Sequence, residues 1–202
     1  MNPQFYLLKI ALCETEPAIW RRFVVPADIS LDRLHDVIQI VMGWQDTHLY
    51  EFVFGRKRFT EAPEEPEQGK EAAFFRLCDL IHMKGKQFSY QYDFGDSWWH
   101  DITLEQTNAS AGHLPCVFYC TEGERHCPPE DCGGTDGYRR LLSVLSEPEH
   151  EEYSETRDWL DGMSALSCSP VFSAETIDLN VINYRLECYW RWSRLRYLPF
   201  TE

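Results

Sequence analysis

Residues 87–105, QFSYQYDFGDSWWHDITLE, narrow the fold more than any other stretch of this chain. Phe88, Tyr90, Tyr92 and Phe94 alternate along one segment, and Trp98, His100, Ile102 and Leu104 alternate along the next. A period of two places each set on one face of a β-strand, whereas a helix would need a period of 3.6. Gly95 lies between the two runs, in a turn whose tip carries Asp93, Asp96 and Ser97. The spacing therefore predicts an antiparallel hairpin with one aromatic face.

The rest of the chain supplies a sheet for it. Residues 4–12 set Tyr6, Leu8, Ile10 and Leu12 opposite Phe5, Leu7 and Lys9, and 19–25 read as a second strand that stops at Pro26. Ser30 is the expected cap of a helix over 31–42, whose Leu31, Leu34, Ile38 and Val41 recur at helical spacing before Gly43. HLYEFVF (48–54) and RKRF (56–59) suggest a second hairpin around Gly55. The acidic, proline-containing segment 60–72 lacks apolar periodicity and reads as a mobile surface loop. A short helical turn is expected near 77–81. Helical patterns then dominate: Tyr138, Leu141, Leu142 and Leu145, an acidic helix around 151–160, and a last helix near 177–195. Strands first and helices last predict an α+β fold, with five or six strands in a mostly antiparallel sheet. The 31–42 helix should cover one face, and 135–202 should form a helical C-terminal part. The 202 residues suit a single domain.

Composition excludes several classes. No apolar run approaches the roughly 20 residues of a membrane span, and the N-terminus reads as a strand, not a signal peptide. Eight cysteines without such a signal point to a reducing cytoplasm, with thiols free or metal-bound. A net charge of −14, from 33 acidic and 19 basic residues, disfavours non-specific nucleic-acid binding.

Four constellations could carry chemistry. Asp93 and Asp96, at the hairpin tip, could share a cation or hold His100 by its ring N–H, with Trp98 beside it; a plain turn uses the same carboxylates to satisfy its own backbone. CPPEDCGG (127–134) presents Glu130 and Asp131 on an arm stiffened by two prolines and released by two glycines, just before a helix whose dipole would also favour them. Cys116, Cys120, Cys127 and Cys132, with His113 and His126 nearby, offer zinc or another divalent metal its preferred ligands. Their spacing contains no Cys-x2-Cys knuckle, so buried free thiols are the alternative. Arg185, Arg191, Arg194 and Arg196 interleave with Tyr189, Trp190, Trp192 and Tyr197, as on single-stranded nucleic-acid surfaces. In a chain of net charge −14, an amphipathic helix that packs its aromatics on the core and pairs its arginines with the many acids explains them better.

Three dense runs, PAIWRRFVVPADISLDRLHDVIQIVMGWQDTHLYEF, YQYDFGDSWWHDITLE and CPPEDCGGTDGY, occur in an order that resembles the plasmid pRiA4b ORF-3-like family of insertion-element passenger proteins. The resemblance spans roughly residues 5–186 and implies a compact α+β domain found near mobile elements, without implying recombinase activity. Trp99 stands where that family often carries an acidic residue. The reading that follows is a cytoplasmic binding or accessory protein for an unknown protein or small-molecule ligand. Its polar site would be built from Asp93, Asp96, Trp98, His100, Glu130 and Asp131. The alternatives are a metal-assisted hydrolase at that site, with the same acids and His100 catalytic, and a nucleic-acid accessory protein using the C-terminal helix.

Overall fold

The structure is a computed structural model that describes residues 4–110, 116–167 and 172–193. Its described residues form one eight-stranded sheet. The strands are β1 (Phe5–Leu12), β2 (Trp20–Pro26), β3 (Tyr50–Phe54), β4 (Lys57–Thr60), β5 (Lys70–Glu71), β6 (Gln87–Tyr92), β7 (Trp98–Gln106) and β8 (Tyr119–Glu124). Their order across the sheet is β5-β4-β3-β6-β7-β1-β2-β8. Every pairing is antiparallel except β4 with β5. The helices are α1 (Leu31–Met42), the single turn α2 (Leu77–Leu80), α3 (Gly134–Ser146), α4 (Tyr153–Ser167) and α5 (Leu179–Ser193). The expected α+β class, mostly antiparallel sheet and helical C-terminal part are all present.

The aromatic hairpin is β6–β7, in register from Gln87 opposite Thr103 to Tyr92 opposite Trp98. Phe88, Tyr90, Tyr92, Trp98, His100, Ile102 and Leu104 are buried together with Tyr6, Leu8 and Ile10 of the neighbouring β1. Helix α1 packs on this face with Leu31, Leu34, Val37, Ile38 and Val41 fully buried. The His35 ring stacks on Tyr50, with centroids 3.6 Å apart. One member of the expected stripe departs from it: Phe94 is 49% exposed. Asp93 adopts φ +56, and this left-handed residue ends the alternation one position early.

Two strands escape sequence reading. Strand β8, YCTEGE, lies among the closely spaced cysteines of 116–132 and pairs with β2 through a register shift at Arg22/Phe23. It is an edge strand with two glutamates and a glycine, so it carries little apolar alternation. Segment 60–72 holds a 3-10 turn at Pro66–Gln68 and the two-residue β5. Ser30 occupies the cap position of α1, but its hydroxyl bonds the Asp32 carboxylate and makes no capping bond to the backbone.

His100 has the most consequential burial. It is fully buried, its Nδ1 lies 3.2 Å from the Tyr90 carbonyl, and its ring meets Trp44 edge-on. Burial pushes the imidazole down to about 3. The unfolded chain therefore takes up this proton first as pH falls, so stability is full above the ordinary value near 6.5 and is lost between there and about 3. One such proton contributes a slope of about 1.4 kcal/mol per pH unit. Urea unfolding should show His100→Phe about 2 kcal/mol less sensitive than the parent to a change from pH 7.5 to 5. The residual sensitivity includes His126, which burial also pushes down.

Candidate functional site

Three segments meet beside the open end of the β6–β7 hairpin. The first, 44–48, leads from α1 to β3. Gly43, at φ +101, ends α1, and Trp44 then turns inward to donate its indole N–H to the Pro128 carbonyl (3.1 Å). This segment is pinned from beneath. His35 on α1 contacts Asp46 through Nε2 (2.7 Å) and the Tyr90 hydroxyl through Nδ1 (2.7 Å), while Gln39 accepts the Asp46 N–H. Both ring nitrogens of His35 are thereby engaged. His35 and Asp46 lock the segment and Asp36 accepts the Tyr189 hydroxyl, although the ligand atoms of all three converge.

The second segment is the hairpin tip. Asp93 divides its carboxylate: Oδ1 accepts the Gly95 N–H (2.8 Å), and Oδ2 faces His48 Nε2 at 3.6 Å. The third is the Cys127–Gly134 arm. Cys127 and Pro128 are buried, and the arm delivers Glu130 inward and Asp131 outward, the latter at φ +55. The Asp96 carboxylate accepts the Gly133 N–H (3.0 Å). Gly134, at φ +67, lies so close that a Cβ there would meet the Asp96 carbonyl oxygen at 2.7 Å. Helix α3 starts at once behind this contact.

Glu130 is the shared member. It is 4% exposed, and its Oε1 accepts the Gln45 N–H (2.8 Å) and the Tyr92 hydroxyl (3.1 Å). Tyr92 oxygen in turn accepts the Thr47 N–H (3.0 Å). Burial raises the Glu130 carboxyl above its ordinary range; the Gln45 and Tyr92 hydrogen bonds and His48 oppose that shift, and Asp131 adds to it. Its second oxygen stands 3.8 Å from His48 Nε2, and Asp131 Oδ1 stands 3.1 Å from the same atom. One imidazole nitrogen thus faces three carboxylates. That nitrogen is buried and makes no hydrogen bond, because even the 3.1 Å approach of Asp131 lacks hydrogen-bond geometry.

Of these separations, the 3.1 Å between His48 and Asp131 matches neighbouring ligands around an ion, and the 3.6 and 3.8 Å ones are longer. Donors held at about 2.1 Å from a metal stand about 3.0–3.4 Å apart in octahedral and tetrahedral shells. His48, Asp93 and Asp131 each offer one ligand atom within 4.8 Å of the others. Asp131 is largely exposed, which leaves one side open to solvent, and it borders a groove of about 490 Å3 between α3 and α4, lined also by Arg140, Leu141 and Trp159.

The carboxylates named from the sequence fall in two roles. Asp93, Glu130 and Asp131 face the common point, and Asp96 fastens the arm to the hairpin. Trp98 and His100 are fully buried in the sheet's aromatic face. Among the described residues, no hydrogen bond or ion pair joins His100 to these acids, and the near-neutral-pH imidazole is held without charge. Trp99 lies on the opposite face from Trp98 and Tyr92, paired with Gln91.

Among the described residues, the cysteines form no converging set of three. Cys120 sits in β8, Cys116 points its thiol toward the Leu186 carbonyl, and burial pushes Cys127 and Cys132 up to about 12. Among the described residues, neither group of three converging ligands contains a cysteine. His113 lies outside the described residues. On α5, Arg191 pairs with Glu187 (2.5 Å) and the Tyr189 hydroxyl bonds Asp36 (2.5 Å), so part of the basic-aromatic pattern docks the helix on α1. Arg185 lines a cavity elsewhere, Trp190 packs against the core, and Trp192 is exposed. Arg194, Arg196 and Tyr197 lie outside the described residues.

His48 was missed from sequence. It stands two residues before β3 and two after Asp46, a position that carries no local signal.

A model of the plasmid pRiA4b ORF-3-like protein family matches residues 4–181. Protein y4hQ of Sinorhizobium fredii (strain NBRC 101917 / NGR234), named as uncharacterized, is 40% identical over 168 residues, covering 82% of this chain and 86% of its own. The crystal structure of MM3350 from Methanosarcina mazei Go1, titled a protein of unknown function, is 33% identical with a TM-score of 0.75, covering 89% of this chain and 98% of its own.

The clasp makes two stability predictions. Gly134→Ala should lower unfolding free energy by about 2 kcal/mol, because the Asp96 backbone must move and a left-handed residue gains a side chain. Tyr92→Phe should lower it by about 1–3 kcal/mol by leaving Glu130 and the Thr47 N–H short of a partner. Urea titrations of the variants check both.

Proposed function

The chain belongs to the plasmid pRiA4b ORF-3-like family, and from that premise we propose that it is a binding module whose site is completed by a divalent cation. His48, Asp93 and Asp131 are the ligands, Glu130 adds its charge beside them, and Asp96 positions the arm that carries Glu130 and Asp131. The single observation that carries this reading is the His48 Nε2 atom, buried, without a hydrogen bond, and within 3.8 Å of three carboxylates. Buried polar atoms are almost always satisfied, and an exception of this kind calls for a missing partner. Two nearly buried acids beside each other add the same demand, since uncompensated buried charge is unfavourable. One imidazole with carboxylate oxygens suits Mn2+, Zn2+ or Fe2+ better than the all-oxygen ions. Bound there, the cation leaves coordination positions facing the open Asp131 side for a ligand's oxygen or nitrogen. Seven free cysteines among the described residues support a reducing, cytoplasmic setting.

A second reading is metal-assisted hydrolysis. The groove bordered by Asp131 favours it, since a substrate there would lie beside a metal-activated water. It requires metal-dependent turnover of an ester or phosphoester that is abolished in His48→Ala.

Calorimetry with Mn2+ and Zn2+ on chelator-stripped protein tests the proposal. One cation should bind per chain, and His48→Ala and Glu130→Gln should each weaken it at least about tenfold. Asp96→Asn should have a smaller effect that is non-additive with Glu130→Gln. Absence of saturable binding by the folded parent up to about millimolar cation would refute the module.

A further inference from the structure

A second polar site, sharing no residue with the carboxylate cluster, lies where β2 and β8 meet the end of α1 and the start of α5; we infer that it binds a small organic anion. Its base is Arg21 on β2, which is only 1% exposed. Arg21 Nε donates to the Val41 carbonyl (2.9 Å), and Nη1 donates to the Trp20 and Glu124 carbonyls (2.8 Å each). These partners are neutral. Among the described residues, no carboxylate forms an ion pair with Arg21, and no hydrogen bond engages Nη2. A guanidinium stays charged at any ordinary pH, so this is a buried cation without a counter-ion. Joining three carbonyls fastens β8 to α1 but does not require a full positive charge.

Arg21 borders a cavity of about 680 Å3, a volume that suits a small ligand. Arg185 of α5 and His126 line the same cavity. His126 Nδ1 is 2.7 Å from the Cys127 carbonyl, so Nδ1 is the protonated nitrogen and Nε2 is an acceptor that adds no donor for an anion. Burial, and then the adjacent Arg21 and Arg185 charges, push this imidazole down. The field that opposes a third cation here favours an anion. In a chain of net charge −14, such a concentration of basic groups is local and against the general trend.

Asp178 is the acid on the cavity wall, and its Oδ1 accepts the Asn180 and Val181 N–H groups at the start of α5 (2.9 and 3.2 Å). Ile40, Ile177 and Val181 supply apolar wall, with Val181 36% exposed. The class of ligand is therefore a phosphate or carboxylate head on a compact apolar body. The head pairs with Arg21 Nη2 and Arg185, and the body lies along the isoleucines and valine.

Phenyl phosphate, inorganic phosphate and benzyl alcohol are suitable probes for calorimetry, on chelator-stripped protein in chelator-free buffer so that no metal-bound anion contributes. Phenyl phosphate should bind at one site per chain, more tightly than inorganic phosphate, with no saturable binding of benzyl alcohol. Arg185→Gln should weaken phenyl phosphate about tenfold or more, the loss expected for one charge-assisted contact, while His48→Ala leaves it unchanged. Arg21→Gln should abolish binding if it folds by circular dichroism; if it does not fold, Arg185→Gln decides. No saturable phenyl phosphate binding by the parent up to about 10 mM, or equal affinity in Arg185→Gln, overturns the site. Either result leaves the cation reading untouched, because no metal is present.

Discussion

Glu130 ties together three parts of the chain that are distant in sequence. Its carboxylate receives the Gln45 N–H and the Tyr92 hydroxyl, and through Tyr92 it reaches Thr47. A buried acid tolerates its position only when hydrogen bonds replace the water it has lost. Here those bonds come from the α1–β3 connection and from the last residue of β6. The arm that carries Glu130 is in turn fixed by the Trp44 bond to Pro128 and by Asp96 on Gly133. These contacts join hairpin, connection and arm into one structural unit.

The same unit creates an electrostatic problem that the protein's own side chains leave open. Asp93 and Glu130 are nearly buried, Asp131 is added from outside, and His48 is the facing imidazole. The His35–Asp46–Tyr90 network beneath fixes the segment that carries His48 without sharing in its charge balance. A rigid second layer of this kind would hold the ligands of the proposed cation in place. Asp93 and Asp131 also adopt left-handed backbone, which aspartate tolerates better than most residues but which still disfavours the fold. Such local conflicts collect at sites, where geometry serves binding at the expense of stability.

Much of this was legible in the chain. Period-two aromatics located β6 and β7, and turn chemistry located Asp93 and Asp96, because these signals arise from local geometry. The proline-stiffened arm pointed to Glu130 and Asp131 for the same reason. His100 misled: its place on the apolar face was read correctly, but the face itself is the sealed core, and a sequence does not distinguish an inward ring from one turned toward a site. His48 was hidden because nothing local marks it. Its role depends on three acids brought in from 45 and more residues away, a tertiary relation without periodicity. The cysteines lie close in sequence, but β8, an edge strand paired with β2, draws Cys120 into the sheet, a separation that their spacing alone does not show. The Arg21 pocket was invisible for a similar reason: an arginine within a strand looks solvent-facing until α1 and α5 close over it.

A crystal of the protein soaked in Mn2+, with anomalous scattering used to locate the ion, tests the central claim most directly. The account predicts one strong peak per chain, about 2.1–2.3 Å from His48 Nε2 and within bonding distance of Asp93 and Asp131 oxygens. An ordered Mn2+ bound elsewhere, or His48 Nε2 found hydrogen-bonded to a carboxylate with no ion between them, would contradict it.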